Sequence, residues 1–237
     1  LDLNVDEISP DVEGRLEAMR WLVAAVGPAS SVPLAIDSSD AAVLEAGLDA
    51  VDPAWAGGAT PMVNSASTER PAGLELVKDR GTPVVLSCTG ASMPSGTQDR
   101  VERAEEIVAM ATDLDLPLDS LHVDPLVIPI GVDPMAGGAF MDAVATIRER
   151  FGEEIHITGG VSNISFGLPA RRIITDVFLD LCVESGLDSG IIDPVADVAA
   201  ALNPDREAEA YTLAKAMLTG EDAFGMQFIE AFRAGKF

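Results

Sequence analysis

"IHITGGVSNISFGLPARR" (residues 155–172) opens as an apolar run, passes two glycines, and presents Ser162, Asn163 and Ser165 before any helix can begin. A brief apolar run closed by glycine is how a strand covered on both faces reads. An amide and two hydroxyls stand at its exit, with Arg171 and Arg172 close behind. Six further runs share this form: "LDLNV" (1–5), "PLAIDS" (33–38), "PMVNS" (61–65), "PVVLSC" (83–88), "LHVDP" (121–125) and "GIIDP" (190–194). Each is short, apolar and bounded by Pro, Gly, Asp or Ser.

Helical periodicity fills the gaps. Val12, Leu16, Met19, Val23 and Val26 fall on one stripe, as do Val101, Ala104, Ile107, Val108 and Ala111, and then Phe178, Leu181, Cys182 and Ser185. No repeat, low-complexity tract or linker interrupts the alternation, so one α/β domain over residues 1–237 is expected. Seven βα units in series fit a (β/α)8 TIM barrel with its first βα unit missing from the chain, which would then start at about the second strand.

The 237 residues carry 39 acidic against 15 basic side chains, a formal net charge of −24. That excess opposes binding to nucleic acid or anionic lipid. No apolar run approaches the ~18 residues of a membrane span, and a cytoplasmic location is expected. Two cysteines, Cys88 and Cys182, and two histidines, His122 and His156, are too few for a disulfide framework, and no metal site is expected. Cys182 on its helical stripe reads as a packed core thiol.

Chemistry in a barrel collects where strands end. Six of the seven runs end in Asn4, Asp37, Asn64, Asp124, Asn163 or Asp193, a set of amides and carboxylates. Each has a bland role open to it: Asp37 through Asp40 as a cap for a helix beginning near Ala41, Asp124 and Asp193 as turn initiators before proline, Asn64 bonded within its own loop. Together they suit a flat, neutral heterocycle rich in N–H donors, because a carboxylate accepts two parallel N–H bonds and an amide both donates and accepts. Phosphate suits them poorly, since no glycine-rich loop with a lysine is present, and "GGVSN" lacks the second glycine of a nucleophile elbow.

The stretches "LDLNVDE", "IDSSDAAVLEAGL", "MVNSAS", "HVDP" and "GGVSNISFGLPARR…GLDSGIIDP" resemble, in order, the pterin-binding barrels. The resemblance is to methyltetrahydrofolate:corrinoid methyltransferases and the folate module of cobalamin-dependent methionine synthase. It implies that Asp37, Asn64 and Asp124 carry the pterin, with Asn4 beside them. Asn163 takes the place of the catalytic asparagine at N5, and Arg171 that of the arginine eight residues later, which would position Asn163, the folate tail or the incoming corrinoid protein. Ser162 and Ser165 would brace the loop. The implied substrate is tetrahydrofolate or methyltetrahydrofolate, and the implied cofactor a corrinoid (cobalamin) carried by a partner protein, since neither histidine sits in an Asp-x-His-x-x-Gly loop. The expected assembly is a homodimer. Phe166 stands where the branch serving the corrinoid iron–sulfur protein tends to carry glutamine, so "NISF" looks more like the methionine synthase module. Two other readings stay open: a transferase of the dihydropteroate synthase type, although its Gly-Glu-Ser-Thr-Arg loop is not found here, and a non-catalytic folate-binding subunit of a methyltransferase complex.

Overall fold

The computed structural model describes residues 1–237. Strands and helices alternate as the apolar runs and stripes predict: β1 (Asp2–Asn4), α1 (Val12–Val26), β2 (Ala35–Asp37), α2 (Ala41–Ala50), β3 (Met62–Ala66), α3 (Ala72–Arg80), β4 (Val84–Ser87), α4 (Gly96–Asp113), β5 (Leu121–Asp124), α5 (Ala136–Phe151), β6 (His156–Ile157) and α6 (Arg171–Glu184). Three helices follow, α7 (Val198–Ala201), α8 (Glu209–Leu218) and α9 (Met226–Arg233). The strands take sheet positions in the order of the sequence. β1 to β4 pair in parallel, each return being made by a helix.

Six strands form, where seven runs suggested seven. The run at residues 190–194 contributes only one bridge, Gly160 with Ile191. Two residues on, the Asp193 carboxylate accepts the Val195 amide at 3.0 Å, and Pro194 between them has no N–H to give a ladder. The chain therefore turns instead of extending.

The chain gathers into two compact units, Leu1–Ser92 with Glu105–Val123, and Met93–Ala104 with Asp124–Phe237. In the first, the register stacks Leu3, Ile36, Val63 and Val84 across four neighbouring strands, and all four are buried. Met19 and Val23 of α1 and Val43, Leu44 and Leu48 of α2 are buried with them. Gly47 lets α2 lie close on β2, for a β-carbon there would stand 2.5 Å from the Ile36 side chain. Both helix starts are capped: Asp11 accepts the Gly14 amide at 2.8 Å and Asp40 the Ala42 amide at 3.0 Å. Each cap contributes about 1 kcal/mol.

In the second unit the core is aromatic. Phe140 of α5 and Phe178 of α6 are fully buried with ring centroids 5.6 Å apart. Truncating either to alanine would cost about 3–5 kcal/mol. Asp180 of α6, 4% exposed, accepts from Arg206 and from the Tyr211 hydroxyl, each at 2.8 Å. That buried carboxylate fastens α8 to α6. Cys182 is buried in this core and its surroundings push the thiol well above its ordinary pKa, as the helical stripe predicts for an inert packed thiol.

Candidate functional site

The register that stacks Leu3, Ile36 and Val63 places Asn4, Asp37 and Asn64 on one rung, at the ends of β1, β2 and β3. Successive strand residues face opposite ways, so the apolar rung goes to the core and the polar rung to the other face. Period two also brings Asp2 to the polar face, two residues before Asn4. Asp2 was absent from the sequence-derived set, yet it is central here: the Asn64 side-chain nitrogen donates to Asp2 Oδ1 at 3.2 Å. Asn64 therefore reaches across two strands and is not spent on its own loop.

Asp37 does not cap α2, because Asp40 does. Burial raises the Asp37 carboxyl, the Asn4 side chain opposes the rise, and the neighbouring charges of Asp2 and Asp6 add to it, so its pKa reaches about 7. Asp2 is raised too, by burial against hydrogen bonds from Asn64 and Asp37. Burial and the neighbouring like charge thus favour the protonated form of this pair, in which a carboxyl O–H can donate where a carboxylate would only accept. Asp6, although burial works against it, is held below the usual carboxylate range by Ser38 Oγ at 2.6 Å and the Ser39 amide at 2.8 Å. Those bonds tie the loop after β1 to the loop after β2. Asn4 Oδ1 accepts the Asp6 amide at 2.9 Å, so this asparagine also shapes its own turn.

In the second unit, Asp124 combines two roles. Its Oδ1 accepts the Leu126 amide at 2.8 Å, the turn expected of an Asp-Pro pair, and holds Leu126 at a φ of 71°. Burial lifts the Asp124 carboxyl to about 6, against the Leu126 amide and the charge of Arg100. Arg100 is itself fully buried, giving Nη1 to the Gly96 carbonyl at 2.7 Å and Nη2 to the Leu126 carbonyl at 3.3 Å.

Asn163 sits in a 3-10 turn, Val161–Ser165, directly after β6 and its two glycines. Its backbone is tied on both sides, its N–H to the Gly160 carbonyl at 2.9 Å and its carbonyl to the Phe166 amide at 3.1 Å. Its side chain makes no hydrogen bond within the chain. Arg171 grips the same turn: Nε donates to Ser165 Oγ at 3.2 Å, Nη2 to the Ser162 carbonyl at 3.1 Å, and the guanidinium lies 4.6 Å over the Phe166 ring. Ser165 is fully buried and also meets the Thr175 hydroxyl at 3.1 Å. Ser162 braces the loop through its carbonyl, which accepts from Ser165 Oγ at 3.1 Å as well as from Arg171. Asp193 serves its turn.

No three His, Cys, Asp or Glu side chains come together as a metal-holding group. His156 has Nδ1 3.3 Å from Asp188, a carboxylate that Arg148 also holds at 2.7 Å.

The rung of Asn4, Asp37 and Asn64 in the first unit offers the amides and raised carboxyl that a heterocycle's N–H donors and ring nitrogens take, and a family model described as pterin binding enzyme matches residues 1–193. The chain belongs to the pterin-binding enzymes. Among curated members of this kind, methylcorrinoid:tetrahydrofolate methyltransferase of Eubacterium limosum is 31% identical over 234 residues, 96% of this chain and 80% of that protein. Methionine synthase of Mycobacterium tuberculosis is 31% identical over 208 residues, 81% of this chain but 17% of that much longer protein. Two solved pterin-binding enzymes share the fold: Yersinia pestis dihydropteroate synthase with a pterine-sulfa conjugate (TM-score 0.65, 16% identity, 91% of this chain and 80% of that one), and the Xanthomonas albilineans enzyme in complex with 7,8-dihydropteroate (TM-score 0.64, 19% identity, 86% and 76%). At that identity the likeness establishes the α/β barrel fold of pterin-binding enzymes and nothing about the reaction.

Proposed function

We propose that this pterin-binding enzyme moves a methyl group between N5 of tetrahydrofolate and the cobalt of a corrinoid carried by a separate protein. The extended similarity to a methylcorrinoid:tetrahydrofolate methyltransferase supports that reaction. In this reading Asp37, Asn64 and Asp124, with Asn4, recognise the pterin, and Asn163 serves the reacting nitrogen. Neither His122 nor His156 lies in a corrinoid-ligating loop, which assigns the corrinoid to its carrier. The corrinoid supplies the methyl-exchanging cobalt when that carrier is bound. A homodimer in the cytoplasm completes the proposal; no helix is long and apolar enough to cross a membrane.

The chemistry sets the demand on the chain. When the N5–methyl bond breaks, its electron pair stays on N5, and a neutral tertiary amine would leave as an unstable amide anion. N5 must take a proton as the methyl departs, and in the reverse direction it loses that proton as its lone pair bonds the methyl. A hydrogen bond that strengthens as N5 protonates stabilises the transition state more than the bound substrate. An asparagine side chain accepts that N–H through its carbonyl and, with the amide turned, donates to the unprotonated nitrogen.

One observation carries the assignment: the Asn163 side chain is free of partners while its backbone and turn are pinned by Gly160, Ser165 and Arg171. A residue that merely capped the turn would spend its side chain on the turn. The test is Asn163→Ala at saturating folate and corrinoid protein. The expected loss in kcat is about 10²–10³-fold, the range for one preorganised hydrogen bond in a dry site, with folate affinity changed much less. Equal turnover by both proteins overturns the assignment.

A further inference from the structure

We infer that Asp6 is a positioning residue for folate: its carboxylate fixes where Asp37 points, and it governs affinity through Asp37. The inference rests on the reading above that Asn4, Asp37 and Asn64 recognise the pterin. The pairing of β1 with β2 ends at the Asn4–Asp37 rung. Asp6, two residues past that end, carries the join onward. One of its carboxylate oxygens accepts the Ser38 hydroxyl at 2.6 Å and the other the Ser39 amide at 2.8 Å.

Ordinary roles for an aspartate near a strand end do not account for these bonds. Helix capping is done by others, Asp11 for α1 and Asp40 for α2. A local turn is not closed either, since the two partners lie 32 and 33 residues along the chain. What the carboxylate holds is the backbone directly after Asp37. Ser38, 2% exposed, is gripped from three sides: its hydroxyl donates to Asp6, its Oγ accepts the Asp40 amide at 3.1 Å, and its N–H donates to the Asn64 carbonyl at 2.9 Å. The segment from which the Asp37 carboxyl projects is thereby clamped between the loop after β1 and the end of β3. The Asp6 backbone adds a second hold. Its N–H donates to Asn4 Oδ1 at 2.9 Å, which leaves the amide nitrogen as the end of Asn4 that bonds Asp37. Without that bond, the asparagine could present either end. One residue thus sets two members of the rung, the kind of support that holds a recognition group to the tolerance a ligand needs.

The test is a double-mutant cycle of Asp6→Ala and Asp37→Ala on the full chain, read by titration calorimetry with tetrahydrofolate and by steady-state kinetics. Asp6→Ala should weaken binding about tenfold, the scale of one misplaced hydrogen bond to the ligand, and raise KM with it. The fall in kcat should stay below about threefold, because Asn163 and not the rung serves the reacting nitrogen. In the Asp37→Ala background the same change should cost less than about twofold, since no carboxyl remains to be aimed. Asp6→Asn, whose side chain can accept the Ser39 amide and donate to Ser38 Oγ, should recover binding to within about threefold of wild type. Should Asp6→Ala fail to fold, Ser38→Ala removes one of the two bonds and repeats the cycle, with a loss of about threefold that again vanishes without Asp37. Wild-type affinity in Asp6→Ala, whatever its melting temperature, makes Asp6 a loop brace and overturns the inference. An undiminished loss in the Asp37→Ala background also overturns it, because Asp6 would then act independently of Asp37. If Asp37→Ala itself binds as wild type, the pterin reading of the rung fails and the inference with it; a weakened Asp37→Ala beside a failed Asp6 cycle defeats the inference alone.

Discussion

A β-carbon on Gly160 would stand 2.7 Å from the side-chain nitrogen of Asn163. The glycine has φ −73° and ψ 73°, which alanine adopts without the penalty of a positive φ, so backbone freedom is not what glycine supplies here. What it supplies is room for the amide. Gly160→Ala should leave the melting temperature close to wild type, because the displaced atom is the end of a flexible side chain. The same variant should lower kcat in the direction of Asn163→Ala by turning that amide away from N5. Paired thermal melts and single-turnover rates check this; a stable variant with full activity would mean the amide orientation is immaterial.

Arg171 should act on rate more than on binding. Its contacts run to the Ser162 carbonyl, Ser165 Oγ and the Phe166 ring, all on or next to the turn that carries Asn163. Lysine keeps the charge but loses the planar fork and the stacking. Arg171→Lys is expected to lower kcat about tenfold with the KM for folate within about twofold of wild type. A raised KM with unchanged kcat would place the arginine on the substrate instead.

The polar rung was legible before the fold was known because strand ends carry it: Asn4, Asp37 and Asn64 each close an apolar run, and parallel register aligns such ends. The helical stripes were legible for the same reason, a period that packing imposes. Asp2 was not. It lies inside its run, and only alternation combined with the register shows that it meets Asn64. The Asn163 turn was half legible. Its residues could be read, but a 3-10 turn has no repeating pattern, so the contacts of Gly160, the Ser162 carbonyl and the buried Ser165 hydroxyl had no sequence signal. The run at 190–194 misled because an Asp-Pro pair ends a ladder as readily as it ends a strand.

The Asp124 carboxylate has two uses, and removing it should affect both. Asp124→Ala leaves the donors of a bound pterin without their acceptor and should weaken folate by about 1–3 kcal/mol in titration calorimetry. It also frees the Leu126 amide from a turn held at positive φ, so a modest fall in melting temperature should accompany the loss. Asp124→Asn retains an acceptor for that amide and should restore stability but not affinity. Unchanged calorimetry in both variants would reduce the aspartate to its turn.

The carboxyl pair of the first unit makes stability depend on pH with a definite sign. Asp37 is raised from 3.8 to about 7 in the folded chain, so folding favours its protonated form. Its contribution is fully present below its unfolded pKa and is lost as pH rises through about 7. Asp124, raised to about 6, adds a loss of the same sign over a lower window. Melting temperature should therefore fall between pH 5 and pH 8 in the wild type, and Asp37→Asn, which cannot ionise, should fall less and be the more stable protein at the alkaline end. Asp2→Asn removes a like charge from beside Asp37 and should bring its carboxyl back toward the unfolded pKa, so the fall should be shallower and end at lower pH. The two variants separate the causes: if burial alone raises Asp37, Asp2→Asn will leave the pH profile where it was, and if the neighbouring charge matters the profile will flatten. A wild-type melting temperature that rises steadily from pH 5 to pH 8 would contradict the raised Asp37 carboxyl.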